Sequence, residues 1–213
     1  MLNPQTDDLI MYPGLRKSPP LLIVLSGPSG VGKDVIVARM KERGMPFHFA
    51  ITATTRLKRD YEQDGVHYYF RTVEQFQEML AQDELLEHAL VYGNHYGPPK
   101  FGVRDALARG EDVILRIDVQ GAEYIQKTIK GAILVFVAPG SYDELISRLV
   151  NRGTESPESL AVRLATYEKE MQAATNFDYI VINRQGELDT AVDLIESILK
   201  TEKAKVKPRQ VKL

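Results

Sequence analysis

The sequence predicts an α/β fold in which a parallel sheet is flanked by helices. Short, continuous apolar runs alternate along the chain with stretches of helical period, as they do when parallel strands are buried on both faces. A glycine-rich turn that ends in lysine joins the first apolar run to the first helical stretch. That arrangement is typical of a strand–loop–helix unit that binds phosphate.

Five buried strands are expected, each a short apolar run bounded by polar or glycine-rich residues. They are residues 21–26, 47–51, 112–118, 132–137 and 178–182. Residues 33–43 are expected to form the first helix, and two later stretches carry apolar side chains at helical spacing. The apolar positions of these two stretches are Leu145, Ile146, Leu149 and Val150, and then Leu188, Ala191, Val192, Ile195, Ile198 and Leu199.

The composition limits the classes of function that this chain can have. Its 213 residues, 44% of them hydrophobic, suffice for one compact domain with small insertions. The formal net charge of −2 predicts no broad basic surface, so nucleic acid is not expected as a partner. The absence of cysteine excludes disulfides, thiol catalysis and cysteine-ligated metals, and the four histidines lack the H-x-x-x-H spacing of a zinc site.

The sequence also lacks an apolar segment long enough for a membrane-spanning helix, so no membrane association is expected. The first 20 residues include Asp7 and Asp8 and have no apolar core of signal-peptide length. We therefore expect a cytoplasmic protein that is a monomer or a homodimer. A location in an organelle of plant type stays open.

Two segments interrupt the alternation of strands and helices. Residues 52–97 are rich in Arg, Tyr, Glu and His, which favours a small mixed α/β insertion, and a polar turn at 151–157 separates two helices. The C-terminal residues hold five basic and no acidic side chains, which favours a frayed, solvated tail. The predicted organisation is an N-terminal extension at 1–20, a domain at 21–202 with its core at 21–51 and 98–199, and a basic tail at 203–213.

The glycine-rich turn, called the phosphate loop below, fits the pattern G-x-x-x-x-G-K. Small residues allow backbone N–H groups to point at phosphate oxygens at a helix N-terminus, where the helix dipole favours negative charge. Lys33 supplies a positive charge for the β- and γ-phosphates of ATP, which predicts a sheet of the P-loop NTPase type. The predicted ATP-binding residues of the loop are Gly27, Pro28, Ser29, Gly30, Val31, Gly32, Lys33 and Asp34.

The last position of the loop departs from the usual pattern. Ser or Thr, whose hydroxyl helps to hold Mg²⁺, is usual there, whereas this chain has Asp34. A carboxylate is a hard oxygen ligand that can bind Mg²⁺ directly or through water. Asp34 is therefore the predicted metal ligand and Mg²⁺ the predicted cofactor, although the same charge would repel phosphates unless a cation lies nearby.

An ordered series of motifs follows the loop in the insertion. They are TATTR at 52–56, Arg59, GVHYYF at 65–70, Glu87 and GNHYG at 93–97. Together with the phosphate loop, this series resembles the guanylate kinases, which transfer a phosphoryl group from ATP to GMP. The resemblance extends over nearly the whole chain, and it rests on the order of the motifs, since each residue alone is more often a surface or packing feature.

The resemblance implies that the insertion binds GMP. Arg56 and Arg59 would hold the phosphate of GMP through planar guanidinium groups, with the hydroxyls of Tyr68 and Tyr96 on the same phosphate. Glu87 would accept hydrogen bonds from N1–H and the 2-amino group of guanine, a pair of donors that adenine lacks. The other implied contacts are those of Thr52, Gly97 and Asp118 with GMP, and of Asn183 near adenine.

The resemblance also implies a lid at about residues 148–165. Arg148 and Arg152 lie four residues apart on one helical face, and Arg163 follows the polar turn. Phosphoryl transfer depends mainly on positioning and charge stabilisation. Lys33 and these three arginines are therefore the predicted catalytic residues, and no general base is assigned.

Two further positions differ from the family pattern. Pro98 stands where a Ser or Thr usually contacts guanine, and Arg116 stands where an acid usually lies two residues before Asp118. Some plant-type relatives look similar at these positions and at Asp34. Because the strands that carry the two positions should be neighbours in the sheet, we hypothesise that Asp34 and Arg116 form an ion pair. A separation above about 6 Å would exclude this pairing.

Two alternative functions stay open at this stage. A sugar-phosphate kinase, for example one that acts on ribose 1,5-bisphosphate, can also have a loop that ends in Lys-Asp, but Glu87 and the two tyrosines fit a guanine better. The other alternative is a non-catalytic binding module with a guanylate-kinase-like fold. Such modules typically lose the phosphate loop, which is intact here.

Overall fold

The computed structural model describes residues 18–91, 93–151 and 157–213, of which residues 151 and 157–163 are described by their backbone. Its helices are α1 Lys33–Glu42, α2 Val73–Ala81, α3 Lys100–Ala108, α4 Val119–Thr128, α5 Tyr142–Asn151, α6 Pro157–Gln172 and α7 Leu188–Lys203. Its strands are β1 Leu22–Ser26, β2 Phe47–Phe49, β3 Ala53–Thr54, β4 Tyr69–Phe70, β5 Ala89–Val91, β6 Asn94–Gly97, β7 Asp112–Arg116, β8 Ile133–Pro139 and β9 Tyr179–Asn183.

Among the described residues, a five-stranded parallel sheet runs in the order β2-β7-β1-β8-β9. β1 and β8 are buried along their whole length, which explains why their sequences LIVLS and ILVFVAP are almost continuously apolar. The register pairs Leu25 with Arg116 and Ser26 with Phe136, so the carboxyl ends of three central strands meet at one edge. The phosphate loop begins at this edge, where ligands bind in open α/β sheets.

Helices cover both faces of this sheet, as parallel strands require. On one face, Ile23 of β1 packs in a cluster with Ile36 of α1 and Ile195 of α7. On the other face, Val24 of β1 packs in a cluster with Ile125 of α4. All five side chains are fully buried, so each face of β1 is shielded from water and the strand holds the phosphate loop on a rigid base.

A second sheet, of four strands in the order β4-β3-β6-β5, is formed by residues between β2 and α3. β6 is antiparallel to β3 and β5, whereas β4 is parallel to β3. A capping box of Thr72 and Gln75 begins α2, which packs Phe76 into a small cluster with Ala53. The second sheet therefore has its own small core, separate from the clusters of the five-stranded sheet.

The strand that was expected at 112–118 ends two residues earlier, at Arg116. Asp118 is the N-cap of α4, and its carboxylate accepts a hydrogen bond from the backbone N–H of Gly121 at 2.8 Å. An aspartate at this place satisfies an N–H group that the helix leaves unpaired and complements the helix dipole. The other four expected strands are observed with bounds that differ by at most two residues.

The prediction of a frayed C-terminal tail was wrong. Arg209 forms ion pairs with Asp178 at 3.0 Å and with Glu202 at 3.1 Å. The backbone N–H of Lys212 donates to the carbonyl of Lys130 at 3.2 Å. The acidic partners lie before the basic run in the sequence, so the composition of residues 203–213 could not indicate that this segment packs.

None of the helices in the described part of the chain has both the length and the apolar character needed to cross a bilayer. Two predicted features fall largely outside the described residues. They are the N-terminal extension, of which residues 1–17 are not described, and the polar turn between α5 and α6, of which residues 152–156 are not described.

Candidate functional site

A cavity of about 270 Å³ opens at the carboxyl edge of the five-stranded sheet. The phosphate loop, the second sheet and the segment after β7 all contribute to its lining. The predicted site residues that line it are Gly27, Ser29, Gly30, Gly32, Lys33, Asp34, Thr52, Arg56, Arg59, Tyr68, Glu87, Tyr96 and Asp118. The fold thus brings the two parts of the predicted site, the loop and the insertion, to one cavity.

The phosphate loop depends on glycine at positions where a side chain would be strained or would collide. Gly30 and Gly32 have φ angles of 87° and 94°, in the left-handed region. A Cβ at Gly27 would collide with the backbone carbonyl of Val137 in β8. The loop can therefore lie close to the sheet, and its backbone N–H groups lie at the N-terminus of α1, where Lys33 begins the helix.

The ammonium group of Lys33 is folded onto the loop itself. It donates to the carbonyl of Gly27 at 2.6 Å and to that of Pro28 at 3.0 Å. Burial lowers the pKa of Lys33 to about 8, and the charges of Asp34 and Glu170 act in the opposite direction. A bound phosphate would add negative charge beside the ammonium group and so favour its charged form.

The predicted ion pair between Asp34 and Arg116 is confirmed. A guanidinium nitrogen of Arg116 donates to Oδ1 of Asp34. The pair forms because β1 and β7 are parallel neighbours, with Leu25 opposite Arg116, so that residue 116 lies beside the first turn of α1. The guanidinium offsets the repulsion that the Asp34 carboxylate would exert on bound phosphates.

The second sheet and the turn after β3 contribute two arginines and two tyrosines to the cavity, all of them predicted. Arg56 pairs with Glu62 at 2.7 Å, and its guanidinium carbon lies 5.3 Å from the ring centroid of Tyr68. The rings of Tyr68 and Tyr96 meet edge to face, with centroids 6.2 Å apart. The backbone N–H of Arg59 donates to the same Glu62 carboxylate at 2.9 Å. One buried glutamate therefore contacts the side chain of Arg56 and the backbone of Arg59.

Glu87 contributes a buried carboxyl group to the cavity, only 4% exposed. Burial, and to a smaller extent the charge of Asp118, raises the pKa of Glu87 to about 8, so the group is largely protonated at pH 7. Its Oε2 atom and Oγ1 of Thr52 are buried without hydrogen-bond partners. Two such atoms beside one cavity mark a place where a polar ligand can be bound.

Several predicted residues are absent from the lining. Asn183 is 4% exposed and donates from its side-chain amide to the carbonyl of Val31 at 2.8 Å. Arg148 donates to the same carbonyl at 3.1 Å and to the carbonyl of Asn183 at 2.7 Å. Both side chains therefore hold the loop through Val31, and their roles at adenine and in the lid stay predictions. Three further predicted residues, Pro28, Val31 and Gly97, do not line the cavity either.

The described residues include only part of the predicted lid. Arg152 lies outside them, and Arg163 is described by its backbone alone, within α6. The same helix contributes Glu170 to the lining of the cavity. The end of α6 is thus close to the phosphate loop, whereas the roles of the two arginines stay predictions.

Comparison with known proteins places these features in one family. The guanylate kinase family model matches residues 20–202. The chain belongs to the guanylate kinase family. It is 46% identical over 195 residues to "Guanylate kinase 2, chloroplastic/mitochondrial" of Oryza sativa subsp. japonica. That alignment covers 91% of this chain and 68% of the rice protein.

Bacterial relatives and a solved structure agree with this assignment. The chain is 46% identical over 187 residues to a guanylate kinase of Desulfitobacterium hafniense (strain Y51), with 88% of this chain and 92% of that protein covered. The crystal structure of guanylate kinase from Anaplasma phagocytophilum has a TM-score of 0.72 at 28% identity, over 90% of each chain. The fold described above is therefore that of a guanylate kinase.

The sequence analysis missed several residues of this guanylate kinase site, and three of them are Glu62, Glu170 and Gly121. Glu62 contacts the side chain of Arg56 and the backbone of Arg59, Glu170 is an acid of the lining, and Gly121 leaves room for the carboxyl group of Glu87. Glu62 lies three residues after Arg59, and this spacing was a usable signal. The other two come close to the site only through the packing of α4 and α6.

The carboxylates of this guanylate kinase fit a Mg²⁺ ion that binds together with a nucleotide. In the part of the chain that the structure describes, no group of three or more His, Cys, Asp or Glu side chains could hold a metal by itself. Mg²⁺ at a nucleotide needs only one or two protein carboxylates, because phosphates and waters supply the other ligands. Asp34 meets this need, since its side chain is 54% exposed beside the loop.

Proposed function

We propose that this protein transfers the γ-phosphoryl group of ATP to GMP, and to dGMP, with ADP and the corresponding diphosphate as products. The observation that carries the proposal is the buried carboxyl group of Glu87, which shares one cavity with Lys33 of the phosphate loop. A P-loop supports binding of the donor triphosphate. A buried acceptor in the same cavity supports selection of a guanine base.

Guanine recognition is assigned to Glu87 and Thr52. Guanine presents N1–H and an amino group side by side, and a carboxylate accepts one hydrogen bond from each of them. In adenine the corresponding ring nitrogen is an acceptor, which would leave Glu87 buried without donors. A site that is built to accept hydrogen bonds from a base binds a base without those donors far more weakly, because the buried polar atoms of the site then stay unpaired.

The phosphate of GMP is assigned to Arg56, Arg59, Tyr68 and Tyr96. Planar guanidinium groups bind phosphate oxygens in pairs, and phenol hydroxyls add single donors. Glu62 supports this assignment, because it holds Arg56 at 2.7 Å and the backbone of Arg59 at 2.9 Å before any ligand binds. Residues 52–97 would then form the GMP-binding part of the domain.

The triphosphate is assigned to the phosphate loop, with Asp34 as the residue that would hold Mg²⁺. When bound, Mg²⁺ neutralises the charge that develops on the phosphate oxygens. Lys33 would exchange its bonds with the carbonyls of Gly27 and Pro28 for bonds with phosphate oxygens. Residues from about 148 to 165 are assigned as a lid, from which Arg152 and Arg163 would reach the phosphates on closure.

The reaction needs no general base. An oxygen of the ionised GMP phosphate attacks the γ-phosphorus atom of ATP, and the bond between that atom and the β–γ bridging oxygen breaks. No proton has to be removed from the attacking group, so catalysis consists of positioning and charge stabilisation. We assign this stabilisation to four residues, Lys33, Arg148, Arg152 and Arg163. Arg148 would act indirectly, because its side chain holds the phosphate loop through the carbonyl of Val31.

The first test is ADP formation with GMP, dGMP, AMP and ribose 1,5-bisphosphate as acceptors, on the wild type and on Glu87→Gln. We expect GMP to be the preferred acceptor. Glu87→Gln replaces an acceptor oxygen with an amide, so kcat/KM for GMP should fall by about 100-fold, or about 3 kcal/mol, with little change in ATP affinity.

The matched control is Glu84→Gln, at an exposed glutamate three residues earlier, which should leave kcat/KM for GMP unchanged. Unaltered GMP turnover by Glu87→Gln would refute the guanine role of that residue. Turnover of ribose 1,5-bisphosphate without turnover of GMP would support the sugar-phosphate kinase instead. Failure to bind Mg·ATP would support a non-catalytic module.

A further inference from the structure

Arg116 lies between the two halves of the cavity. Its position at the end of β7 is fixed by the parallel pairing with Leu25 of β1. On one side its guanidinium pairs with Asp34, in the first turn of α1. On the other side the guanidinium carbon lies 5.0 Å from the ring centroid of Tyr68, the aromatic residue just before β4. One side chain therefore contacts both the donor-binding helix and the GMP-binding sheet.

The contact with Tyr68 belongs to a longer row of groups. Arg56 lies over the same ring at 5.3 Å, and Arg56 is in turn held by the buried carboxylate of Glu62. The row runs from Asp34 through Arg116, Tyr68 and Arg56 to Glu62. An ion pair lies on each side of the Tyr68 ring, so each member stabilises the orientation of the next.

We propose that Arg116 is a positioning residue that couples the phosphate loop to the GMP phosphate site, because its guanidinium pairs with Asp34 and also lies over the ring of Tyr68. This inference rests on the proposed function, because it concerns the same two substrates. A planar guanidinium can form an ion pair at its edge while its face lies on a ring. An acid at position 116, as is usual in the family, could not contact Tyr68 in this way.

Arg116→Gln should therefore produce two separate losses. The first is at Tyr68, which would lose the group that orients its hydroxyl, so that GMP binds about tenfold more weakly in the absence of ATP. The second is at Asp34, whose carboxylate would lose the cation of Arg116, so that it repels the triphosphate more strongly and raises KM for ATP. Arg116→Lys keeps the charge but not the planar face, so it should restore KM for ATP more than GMP affinity.

The experiment measures GMP affinity by calorimetry without ATP, and then KM and kcat for both substrates. The variants are Arg116→Gln, Arg116→Lys, Asp34→Asn, the double variant Asp34→Asn with Arg116→Gln, and the control Arg71→Gln. Arg71 matches Arg116 in kind, since it pairs with Asp64 at 3.6 Å and lies 5.3 Å from the ring of Tyr69, but it does not line the cavity.

We expect Asp34→Asn to keep GMP affinity within about twofold of the wild type, because Arg116 still lies over Tyr68. The double variant should have a lower KM for ATP than Arg116→Gln, because the repulsive charge is removed while the amide oxygen that replaces it can still bind Mg²⁺. It should keep the full loss of GMP affinity. Such a split between the two substrates would not arise from a general loss of packing, and Arg71→Gln should change neither value.

The inference is overturned if Arg116→Gln and Arg116→Lys both bind GMP as tightly as Arg71→Gln does. It is also overturned if the double variant recovers GMP affinity together with ATP affinity. A wild type that neither binds nor phosphorylates GMP is a different result, because it defeats the proposed function and this inference together.

Discussion

Glu87 illustrates how a single buried residue can link substrate binding to pH. Its carboxyl group is 4% exposed, and burial raises its pKa to about 8, so the free enzyme holds a proton there at pH 7. Under the proposed function, the guanine donors require the ionised form. GMP binding must then displace this proton, since the two cannot occupy the carboxylate together.

We predict that GMP binding at pH 7 releases close to one proton from Glu87, and that GMP affinity rises with pH by up to about tenfold per unit until it levels above about pH 8. The sign follows from the raised pKa, because below it the free state binds more protons than the complex. Calorimetry in buffers of different ionisation enthalpy measures the release. Glu87→Gln is the control, because any proton released by the phosphate of GMP itself is still released with this variant. Equal proton release by the wild type and Glu87→Gln would contradict the assignment of the proton to Glu87.

At the scale of secondary structure elements, the N-terminus of α4 shapes the part of the cavity that contains Glu87. Asp118 caps this helix, and Gly121 follows in its first turn. A Cβ at Gly121 would lie 2.7 Å from the carboxyl carbon of Glu87, so the absence of a side chain there lets the carboxyl group fit against the helix. A glycine inside a helix usually costs stability relative to alanine, by about 1 kcal/mol. That cost is consistent with a role in the site.

Gly121→Ala should displace the carboxyl group of Glu87 and raise KM for GMP by at least about tenfold, with KM for ATP little changed. Alanine favours the helix but crowds Glu87, so the net effect on stability does not test the role of Gly121. The informative measurement is the change in KM for GMP compared with the change in KM for ATP. Gly102→Ala in α3 is the matched control, because a Cβ there would meet its nearest atom at 3.8 Å. An unchanged KM for GMP in Gly121→Ala would show that Glu87 can move aside without loss.

At the scale of the whole molecule, the C-terminal segment joins the end of α7 to the start of β9, away from the cavity. Arg209 pairs with Asp178, just before β9, and with Glu202 at the end of α7. Glu202 is fully buried and also accepts a hydrogen bond from the hydroxyl of Tyr179 at 2.5 Å, which raises the pKa of Tyr179 to about 12. A buried carboxylate is tolerated here because several donors surround it.

Arg209→Met should lower the free energy of unfolding by about 2 kcal/mol, because it removes one of the donors that compensate the buried charge of Glu202. The kinetic constants should stay near those of the wild type, since Arg209 does not line the cavity. Denaturant unfolding with a parallel activity assay measures both. Lys207→Ala, at an exposed lysine of the same segment, is the control, and equal stability of the two variants would contradict a structural role for Arg209.

Much of this protein could be predicted from local patterns in the sequence. The apolar runs at β1, β7 and β8 indicated a parallel sheet, because strands buried on both faces have few polar positions. The phosphate loop was recognisable because its chemistry requires consecutive residues in a fixed order. Even the pair of Asp34 and Arg116 was predictable, because the two departures from one family pattern lay near the carboxyl ends of adjacent strands.

Only the tertiary structure decided which distant residues share an environment. Three contacts join segments that are separated by many residues in the sequence. They are the ion pairs of Arg209, the contact of Gly121 with Glu87, and the contact of Arg116 with the ring of Tyr68. Hydrophobic periodicity and charge composition do not predict such contacts, because both describe one segment of the chain without the segments that pack against it in the fold. Local order therefore determined the fold class and the phosphate loop of this protein, and packing decided the burial of Glu87 and the position of Arg116 between Asp34 and Tyr68.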